Sequence, residues 1–348
     1  MSSARAEGGR LKGGRLNGGR LNGGRLKGGR LNGGRPLPAI VAVVVATLVA
    51  VAMVGCHPRP AEPPGGSAAL EPAPAHADRF VTRAQLDTLL ALGAEVAGDA
   101  GRAGLGSTVD VVVVPHHLVA GHLVAGALAY LAVEPPATVI IVGPDHFRAG
   151  PRVGTSLGVW RTAGGVVEPE SDLVAALLLE GMAEEAWRAQ EGEHSVGALM
   201  PFVRSLLPGA RVVPITVRGD LSYEEAVALG KWLREWADGR GKGDAGVRLG
   251  RVVLVASVDF SHYLDRREAE KRDVRTIAAL ERGDWAALFG MGSEYLDSPA
   301  SLAVAFAFAG SVEKPRFAVV AHTNSATLLG RLDLAETTSH YLLLIPSP

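Results

Sequence analysis

Residues 110–147 constrain the fold of this chain more than any other stretch. They contain two continuous runs of β-branched residues, 111–114 and 139–142, each followed closely by a proline and separated by a helix-length segment rich in Ala and Leu. Apolar runs of this kind are typical of parallel strands that are buried on both faces of a sheet. The stretch is therefore predicted to form a parallel βαβ unit.

Histidines follow both predicted strands. His116 and His117 come after the first strand, and His146 comes after the second. In open α/β sheets, ligands bind outside the carboxyl ends of the strands. We therefore expect these histidines to contribute to one shared site.

The alternation of strands and helices continues to the C terminus. The candidate strands are 109–114, 139–143, 211–217, 252–257, 317–321 and 341–345, and the candidate helices are 123–131, 171–181, 196–207, 222–237, 265–282 and 300–309. Apolar residues make up 47% of the chain but aromatic residues only 5%, which favours a Val/Leu/Ala interior of the kind found when helices cover a parallel sheet. Residues 80–348 are predicted to form a single α/β domain with a mostly parallel central sheet covered by helices.

The N-terminal residues have a different composition. Residues 1–36 repeat a Gly-Gly-Arg-Leu unit followed by Asn or Lys, and without an apolar face they are predicted to be a disordered basic leader. Gly/Arg-rich tracts can bind single-stranded nucleic acid. The chain as a whole has a formal charge of −1 and no basic stripe in its globular part, so no nucleic-acid partner is expected.

An uninterrupted apolar segment follows the leader, at residues 37–56, and ends in Gly55 and Cys56. Arginines before it and a small residue plus cysteine after it resemble a bacterial lipoprotein signal, in which Cys56 would be lipidated. The segment is also long enough for an uncleaved transmembrane helix. Both alternatives predict a membrane-anchored protein whose globular part faces the extracytoplasmic side. Residues 57–79, rich in Pro and Ala, are predicted to be an extended tether.

Further polar clusters lie where strands end or helices begin. They are Asp145, Glu193-His194-Ser195, Asp259 with His262, and Asp297. Neutral imidazoles are the commonest metal ligands in proteins, and converging strand ends would bring such side chains together. The pattern therefore predicts a shared metal or catalytic site.

The order of these motifs resembles that of a known family. Pro115-His116, Gly143-Pro144-Asp145-His146, Glu193-His194-Ser195 with Met200-Pro201-Phe202, and Ser257-Val258-Asp259-Phe260-Ser261-His262-Tyr263 follow one another. In this order and at these separations they resemble the Memo family, whose bacterial and archaeal members are called AmmeMemoRadiSam system protein B. The resemblance covers residues 109–348 and implies a fold similar to that of class III extradiol dioxygenases.

The resemblance also implies a ligand set. His116 and His146 would be metal ligands, with Asp259 and His262 beside them. The family's third ligand is a cysteine in a Cys-Gly turn, and Asp297 stands at that position in this chain. Two imidazoles and a carboxylate suit non-haem iron, which is the first expectation; zinc, manganese and copper are the alternatives. Asp297 could instead be the N-cap of the helix that follows it.

The surrounding polar residues have open roles. Asp145 and Glu193 would either orient neighbouring imidazoles or cap turns. His194 opens a helix whose N terminus would suit an anionic substrate group, or it is structural. His117 and His122 are interpreted as surface or packing residues, and His322 and His340 as structural.

These residues predict metal-centred chemistry on a small-molecule substrate. A divalent ion with open coordination positions would activate dioxygen or water, and His262, oriented by Asp259, would move protons. With iron the expected reaction is oxidation of an oxidase or dioxygenase type, on an aromatic or phenolic substrate; with zinc it is hydrolysis. The alternative is a non-catalytic module that binds a metal or a peptide at the membrane surface, and similarity of fold does not decide between them.

Overall fold

The computed structural model describes residues 75–77, 79–103, 108–241 and 250–347. The predicted leader at 1–36, the apolar segment at 37–56 with Cys56, and most of the predicted tether lie outside these residues. Within them, no helix is long and apolar enough to cross a membrane.

Twelve strands occur in the described part of the chain. They are β1 (Ala75–His76), β2 (Val109–Val114), β3 (Thr138–Pro144), β4 (Val153–Thr155), β5 (Val159–Thr162), β6 (Gly165–Val167), β7 (Glu184–Glu185), β8 (Arg211–Val217), β9 (Val252–Ser257), β10 (His262–Leu264), β11 (Ala318–Asn324) and β12 (Thr337–Pro346).

Eleven α-helices and one short 3-10 helix connect the described strands. The α-helices are α1 (Arg83–Arg102), α2 (Gly121–Leu131), α3 (Ser171–Leu179), α4 (Trp187–Gln190), α5 (His194–Gly197), α6 (Met200–Leu206), α7 (Tyr223–Gly241), α8 (Arg266–Glu281), α9 (Trp285–Phe289), α10 (Pro299–Phe308) and α11 (Ser325–Leu328). The 3-10 helix, Leu118–Ala120, precedes α2.

The main sheet has nine strands. Its order is β10-β12-β2-β9-β3-β8-β4-β7, and β11 also pairs with β12. The four central strands, β2, β9, β3 and β8, run parallel, which confirms the predicted α/β class. The flanks differ from the mostly parallel prediction, because β12 is antiparallel to β2, β10 and β11, and β4 is antiparallel to β8.

The predicted βαβ unit is present as β2, α2 and β3. Its two strands are not neighbours, because β9 lies between them: Val255 of β9 pairs with Val112 of β2 on one side and with Ile141 of β3 on the other. The carboxyl ends of β2, β9 and β3 therefore meet at one edge of the sheet. The polar residues that follow these three strands are brought together at that edge.

Alternate residues of the buried strands face opposite layers, as the pleat of a strand requires. Val111 and Val113 face a core that contains residues of α7 and α10. Val112 and Val114 face a second core that contains residues of α1, α2 and α6. Both faces of the central sheet are thus covered by helices, which explains why its strands are continuous apolar runs rather than alternating ones.

Two helices begin with capping boxes that their sequences favour, and a third predicted helix is divided into two. Thr82 and Gln85 form a capping box at the start of α1, and Ser222 and Glu225 exchange the equivalent hydrogen bonds at the start of α7. The single helix predicted at 196–207 is instead two helices, α5 and α6. A new helix begins at Met200 because Pro201 lies in its first turn, where the missing N–H is tolerated.

A second, three-stranded sheet has the order β1-β5-β6. Strand β1 runs parallel to β5, with His76 opposite Trp160. Ala75 and His76 belong to the stretch predicted to be an extended tether, but they form a strand of this sheet, so the folded part of the chain includes residues before Phe80. The imidazole of His76 is fully buried against Trp160, and this contact accounts for the difference.

Candidate metal centre

The loops after three adjacent parallel strands supply the first residues of the centre. His116 follows β2 by two residues, His146 follows β3 by two residues, and Asp259 follows β9 by two residues. The rings of His116 and His146 lie with their centroids 4.9 Å apart at an angle of 80°. The two imidazoles that were predicted to share a site therefore lie next to each other.

Asp297 joins them from the loop before α10. Its backbone N–H donates to the carbonyl of Asp259 at 3.1 Å, and its Oδ2 accepts from the N–H of Asp259 at 3.1 Å. The same Oδ2 lies 3.2 Å from Nε2 of His116 and 3.8 Å from Nε2 of His146. The carboxylate is therefore aimed between the two imidazoles.

The N-cap interpretation of Asp297 is wrong. The cap of α10 is Ser298, whose hydroxyl accepts from the N–H of Ser301 at 3.1 Å. The other oxygen of Asp297, Oδ1, is buried and has no hydrogen-bond partner among the described residues. A buried carboxylate oxygen without a partner is costly, so a metal ion at this position would satisfy it.

The distances fit a first-row divalent ion. Two ligand atoms that are each about 2.1 Å from an ion, at right or tetrahedral angles, lie about 3.0–3.4 Å apart. The 3.2 Å between Asp297 and His116 falls in this range, and the 3.8 Å to His146 exceeds it only slightly. Two overlapping groups could hold a metal ion: His116, His146 and His194, and His116, Asp259 and Asp297.

His116 is the residue that the two groups share, and it is almost completely buried. Its Nδ1 lies 3.1 Å from the hydroxyl of Ser257, and its Nε2 faces Asp259 at 3.4 Å and Asp297 at 3.2 Å. Burial alone would lower the pKa of His116, but the charges of the two carboxylates raise it. Sequence reasoning missed Ser257, although a polar residue that ends an apolar strand is a usable signal.

Glu193 fixes the orientation of His146. One carboxylate oxygen lies 2.8 Å from Nδ1 of His146, and the other accepts from its backbone N–H at 2.9 Å. Although burial opposes both shifts, this contact helps to lower the pKa of Glu193 to about 2 and, with Asp297, to raise the pKa of His146 to about 10. Glu193 also caps α5 by accepting from Ser195 N–H at 2.9 Å, so both predicted roles are present.

His194 stacks on His146, with centroids 4.2 Å apart and planes at 21°. The lone pair of an imidazole nitrogen lies in the ring plane, so two nearly parallel rings do not direct their lone pairs at one common point. His146 and His194 therefore do not both fit one ion, whereas Oδ2 of Asp297 lies close to Nε2 of both His116 and His146. The expected anion site at the helix N terminus is not free, because Glu193 occupies it.

Asp259 does not orient His262. One of its oxygens lies 2.8 Å from Nδ1 of His340, and the other accepts from the N–H of His117 at 3.2 Å. Burial would raise the pKa of Asp259, but the charges of His116 and His340 hold it far below its usual range. The ring of His262 instead has its Nδ1 3.2 Å from the carbonyl oxygen of Ser293.

His340, interpreted from the sequence as structural, contacts the centre through Asp259, whose oxygen lies 2.8 Å from its Nδ1. Leu343 of β12 pairs with Val113 of β2, and because these strands are antiparallel, His340 lies beyond the end of β2, level with His116. The sequence does not reveal an antiparallel register between strands separated by more than two hundred residues. No local pattern could therefore have found this contact.

The remaining histidines and Asp145 have local partners. Asp145 accepts from the N–H groups of Ala149 and Gly150 at 3.2 and 2.8 Å, so it closes the loop after His146 rather than orienting an imidazole. His322 lies 2.9 Å from the buried Asp273 and stacks on Tyr341, in keeping with a structural role. His117 and His122 are half-buried, and burial lowers the pKa of each to about 4.

The residues of this centre lie within a stretch that matches a known protein family. A model of the Memo-like proteins matches residues 76–335. The chain belongs to the Memo-like family. The resemblance deduced from the ordered histidine motifs is thereby confirmed, over a stretch that begins in β1.

Several relatives are MEMO1 family proteins of archaea and bacteria. Those of Caldivirga maquilingensis and Aquifex aeolicus are each 31% identical to this chain, over 193 and 189 residues, and that of Pyrobaculum arsenaticum is 33% identical over 196 residues. Each match covers 53% of this chain and 64–66% of the relative, so the chain spans less than two thirds of their length. The crystal structure of an uncharacterized protein, JW3007 from Escherichia coli K12, superposes with a TM-score of 0.42 at 13% identity, over 68% of this chain and all of that one.

The centre of this Memo-like protein thus combines a donor set suited to a metal with buried supports for it. Imidazole and carboxylate ligands suit iron, zinc and manganese. Ser257 and Glu193 hold the outer nitrogens of His116 and His146. Hydrogen bonds of this kind orient metal-binding imidazoles and favour the tautomer whose inner nitrogen has a free lone pair.

Proposed function

We propose that this Memo-like protein is a metal-dependent oxidoreductase of the non-haem iron type that acts on a small-molecule substrate. His116, His146 and Asp297 would hold the ion. The observation that supports this most is the placement of Asp297: one oxygen faces Nε2 of both imidazoles, and the other is buried without a partner among the described residues.

The ligand chemistry suits iron and disfavours copper. Two imidazoles and one carboxylate are the donor set of many non-haem iron(II) oxygenases, and the same donors accept zinc and manganese. Copper fits less well, because the soft cysteine of the family is replaced by a hard carboxylate. When bound, an ion here would supply Lewis acidity and, if it is iron, redox chemistry with dioxygen.

The chain's own residues would prepare the site and move protons. Glu193 and Ser257 hold the two imidazoles in position. His340 keeps Asp259 ionised beside His116. His262 is half-exposed, and burial lowers its pKa in spite of the nearby charges of Asp297 and Asp259, so a neutral ring is available at the rim as a proton acceptor.

Two exposed aromatic side chains that follow His146 and His262 favour a small aromatic or phenolic substrate. Phe147, directly after His146, is 45% exposed, and Tyr263, directly after His262, is 69% exposed. Aromatic side chains left partly in solvent beside a polar centre are suited to contacting a planar ring. Zinc-type hydrolysis and non-catalytic binding of a metal or a peptide are the alternative functions.

We also propose that the protein acts at the extracytoplasmic face of a membrane. The support is the sequence of residues 37–56, which ends in Cys56 and follows a basic leader. A lipid on Cys56 would anchor the chain. The substrate would then be met outside the cytoplasm, and nucleic acid is not expected as a partner.

Metal content tests the proposed function. The full chain, purified without oxygen and supplied with iron(II), should retain close to one ion per chain. His116→Ala, His146→Ala and Asp297→Ala should lose it, whereas Asp333→Ala, a change at an exposed aspartate that pairs with Arg331, should not. A wild-type chain that retains no metal would contradict the proposal.

Substrate turnover separates the alternatives once metal is bound. Oxygen uptake with a panel of phenols, lost in His262→Gln while the iron stays bound, is expected for the oxidoreductase. Iron-loaded protein that consumes no oxygen with any of them would favour the binding module. Hydrolysis of activated esters by the zinc-loaded form alone would favour the hydrolase.

A further inference from the structure

A short segment that precedes α1 packs against α5, the helix whose N-cap Glu193 orients His146. We call the described residues 75–77, 79 and 80 the strap. All of them except Phe80 lie in the stretch predicted to be an extended tether, yet Ala75 and His76 form β1 and pair with Val159 and Trp160 of β5. Three contacts fix the strap, and each leads toward the metal centre.

The first contact is a buried ring in a slot. The imidazole of His76 is fully buried, stacks on Trp160 with centroids 3.9 Å apart, and lies 5.5 Å from the ring of Trp187. The slot exists because residue 158 is glycine: a Cβ there would lie 2.6 Å from Cδ1 of Trp187 and 3.1 Å from Nε2 of His76. Neither nitrogen of His76 has a hydrogen-bond partner among the described residues, so packing of the ring, not polar bonding, holds it.

The second contact is an ion pair. Arg79 and Glu191 approach to 2.6 Å, with both side chains partly in solvent. An exposed pair of this kind adds little stability. It does fix the register of the strap against the residue that follows α4, two residues before Glu193.

The third contact reaches α5 itself. Phe80 and Trp160 both press on Gly197, the last residue of α5: a Cβ at Gly197 would overlap the ring of Phe80 and lie 3.0 Å from Cζ3 of Trp160. The N–H of Gly197 donates to the carbonyl of Glu193 at 3.0 Å. Because α5 is a single turn, a shift at Gly197 is passed directly to its cap, Glu193.

Glu193 carries the effect to the metal centre. Its carboxylate accepts the N–H groups of His146 and Ser195 at 2.9 Å each, and it faces Nδ1 of His146 at 2.8 Å. The hydroxyl of Ser195 also donates to the carbonyl of Pro144, at the end of β3, at 2.7 Å. The position of α5 therefore determines where the imidazole of His146 points.

We propose that the strap is a positioning element of the metal centre, with His76 and Phe80 as positioning residues. Docked in the slot, they hold α5 in the place from which Glu193 orients His146. Metal retention then depends on whether the strap is docked. This role rests on the proposed metal centre, but docking of the strap does not.

The test uses full-length variants that change the strap and leave the centre intact. His76→Ala removes the ring, and Gly158→Val fills the slot. Glu193→Gln weakens the contact with His146 but leaves the strap in place. Gly209→Val is the matched control, because a Cβ at Gly209 meets no atom within 4 Å.

Two measurements report on the two steps. Trypsin cleavage after Arg79 measures release of the strap, and loss of Co²⁺ to a chelator measures retention at the centre. His76→Ala and Gly158→Val should raise the cleavage rate at least tenfold and the rate of Co²⁺ loss by about three- to tenfold. Glu193→Gln should lose Co²⁺ about 10–100 times faster without faster cleavage, and Gly209→Val should match the wild type in both.

A third measurement does not depend on metal. In metal-free protein, hydrogen exchange at the amides of His146 and Ser195, which donate to Glu193, should become about tenfold faster in His76→Ala. Faster cleavage with unchanged exchange and unchanged Co²⁺ loss would overturn the proposal, as would unchanged cleavage. If the wild type binds no Co²⁺, the proposed function fails, and hydrogen exchange still decides whether the strap positions His146.

Discussion

At the scale of single residues, the centre depends on contacts that join distant parts of the chain. Strand ends and an ordered set of motifs in the sequence predicted His116, His146 and Asp297. The structure places Nε2 of each histidine within 3.8 Å of Oδ2 of Asp297. The sequence did not predict Ser257 or His340, because a residue's role as the partner of an imidazole depends on the register of strands that are far apart in sequence.

Two strained residues lie beside the centre. Arg148 and Tyr263 are the non-glycine residues with positive φ, at 51° and 59°, in the described part of the chain. They follow His146 and His262 by two residues and one residue. A left-handed conformation costs a side-chain-bearing residue about 1–2 kcal/mol, and strain of this kind clusters at functional sites.

Relief of that strain is a first prediction. Tyr263→Gly should raise the melting temperature by about 2–4 °C, since about 1 kcal/mol of strain is removed and the exposed ring contributes little packing. Tyr263→Ala, which removes the same ring but keeps a Cβ at φ 59°, should not. Calorimetry of the three proteins decides it, and equal stabilisation by Gly and Ala would contradict the strain argument.

The pair formed by Glu193 and His146 gives a second prediction. The pKa of Glu193 is lowered to about 2 in the folded protein, below the ordinary 4.5, so the unfolded state binds more protons between these values. Its stabilising contribution is therefore present above pH 4.5 and is lost as the pH falls toward 2. For a shift of this size it is about 3 kcal/mol.

Urea unfolding of the metal-free protein at pH 3 and pH 6 measures this loss. The wild type should lose more stability between the two pH values than Glu193→Gln, which has no charge to titrate. A variant that loses as much as the wild type would show that other carboxylates account for the acid sensitivity.

At the scale of secondary-structure elements, long strands were predictable and short ones were not. Strands β2, β8 and β9 have the predicted bounds, because uninterrupted apolar runs between prolines and polar residues mark strands buried on both faces. Strands β4 to β7 have two to four residues each and are too short to show any periodicity. Their places are set by tertiary pairing.

The antiparallel orientation of β12 was also not predictable from the sequence. The sequence marks 341–345 as an apolar strand but carries no sign of its direction. Strands β11 and β12 are joined by the short helix α11 and a loop, and they pair in antiparallel orientation. The antiparallel pairing of β12 with β2 places His340 level with His116.

The strap gives a third prediction, concerning pH. Burial, with a smaller effect of the nearby Arg79, lowers the pKa of His76 to about 4, against 6.5 when the ring is free. The undocked strap therefore binds a proton more readily, and docking should weaken as the pH falls from 6.5 toward 4, by about two orders of magnitude in all.

Hydrogen exchange at the amides of β1 and β5 between pH 7 and pH 4, corrected for intrinsic rates, measures this release. His76→Ala, in which no ring titrates, should exchange rapidly at every pH. Protection that stays constant down to pH 4 in the wild type would show that His76 does not control docking.

At the scale of the whole molecule, the Memo-like domain is the described part, and its family match begins in the strap at residue 76. The anchor at 37–56 remains a prediction from sequence. If Cys56 is lipidated, a labelled lipid precursor should be incorporated into the wild type, and Cys56→Ser should lose the label. A Cys56→Ser protein that remains in the membrane fraction would instead favour an uncleaved transmembrane helix.

The fold class and the family were predictable from the sequence because both depend on ordered, strongly patterned stretches. The coupling of the N-terminal segment to the centre was not, since it depends on one ring in a slot left by Gly158. Composition alone marked residues 57–79 as a linker. Packing of His76 overrides that composition at the point where the domain begins.

X-ray absorption spectroscopy of the iron-loaded full chain tests the metal centre most directly. We predict one bound iron with nitrogen and oxygen ligands at about 2.0–2.2 Å, outer-shell scattering from two imidazoles, and loss of the bound iron in His146→Ala and Asp297→Ala. Absence of bound iron, or a bound iron whose spectrum shows no imidazole and is unchanged in these variants, would contradict the centre formed by His116, His146 and Asp297.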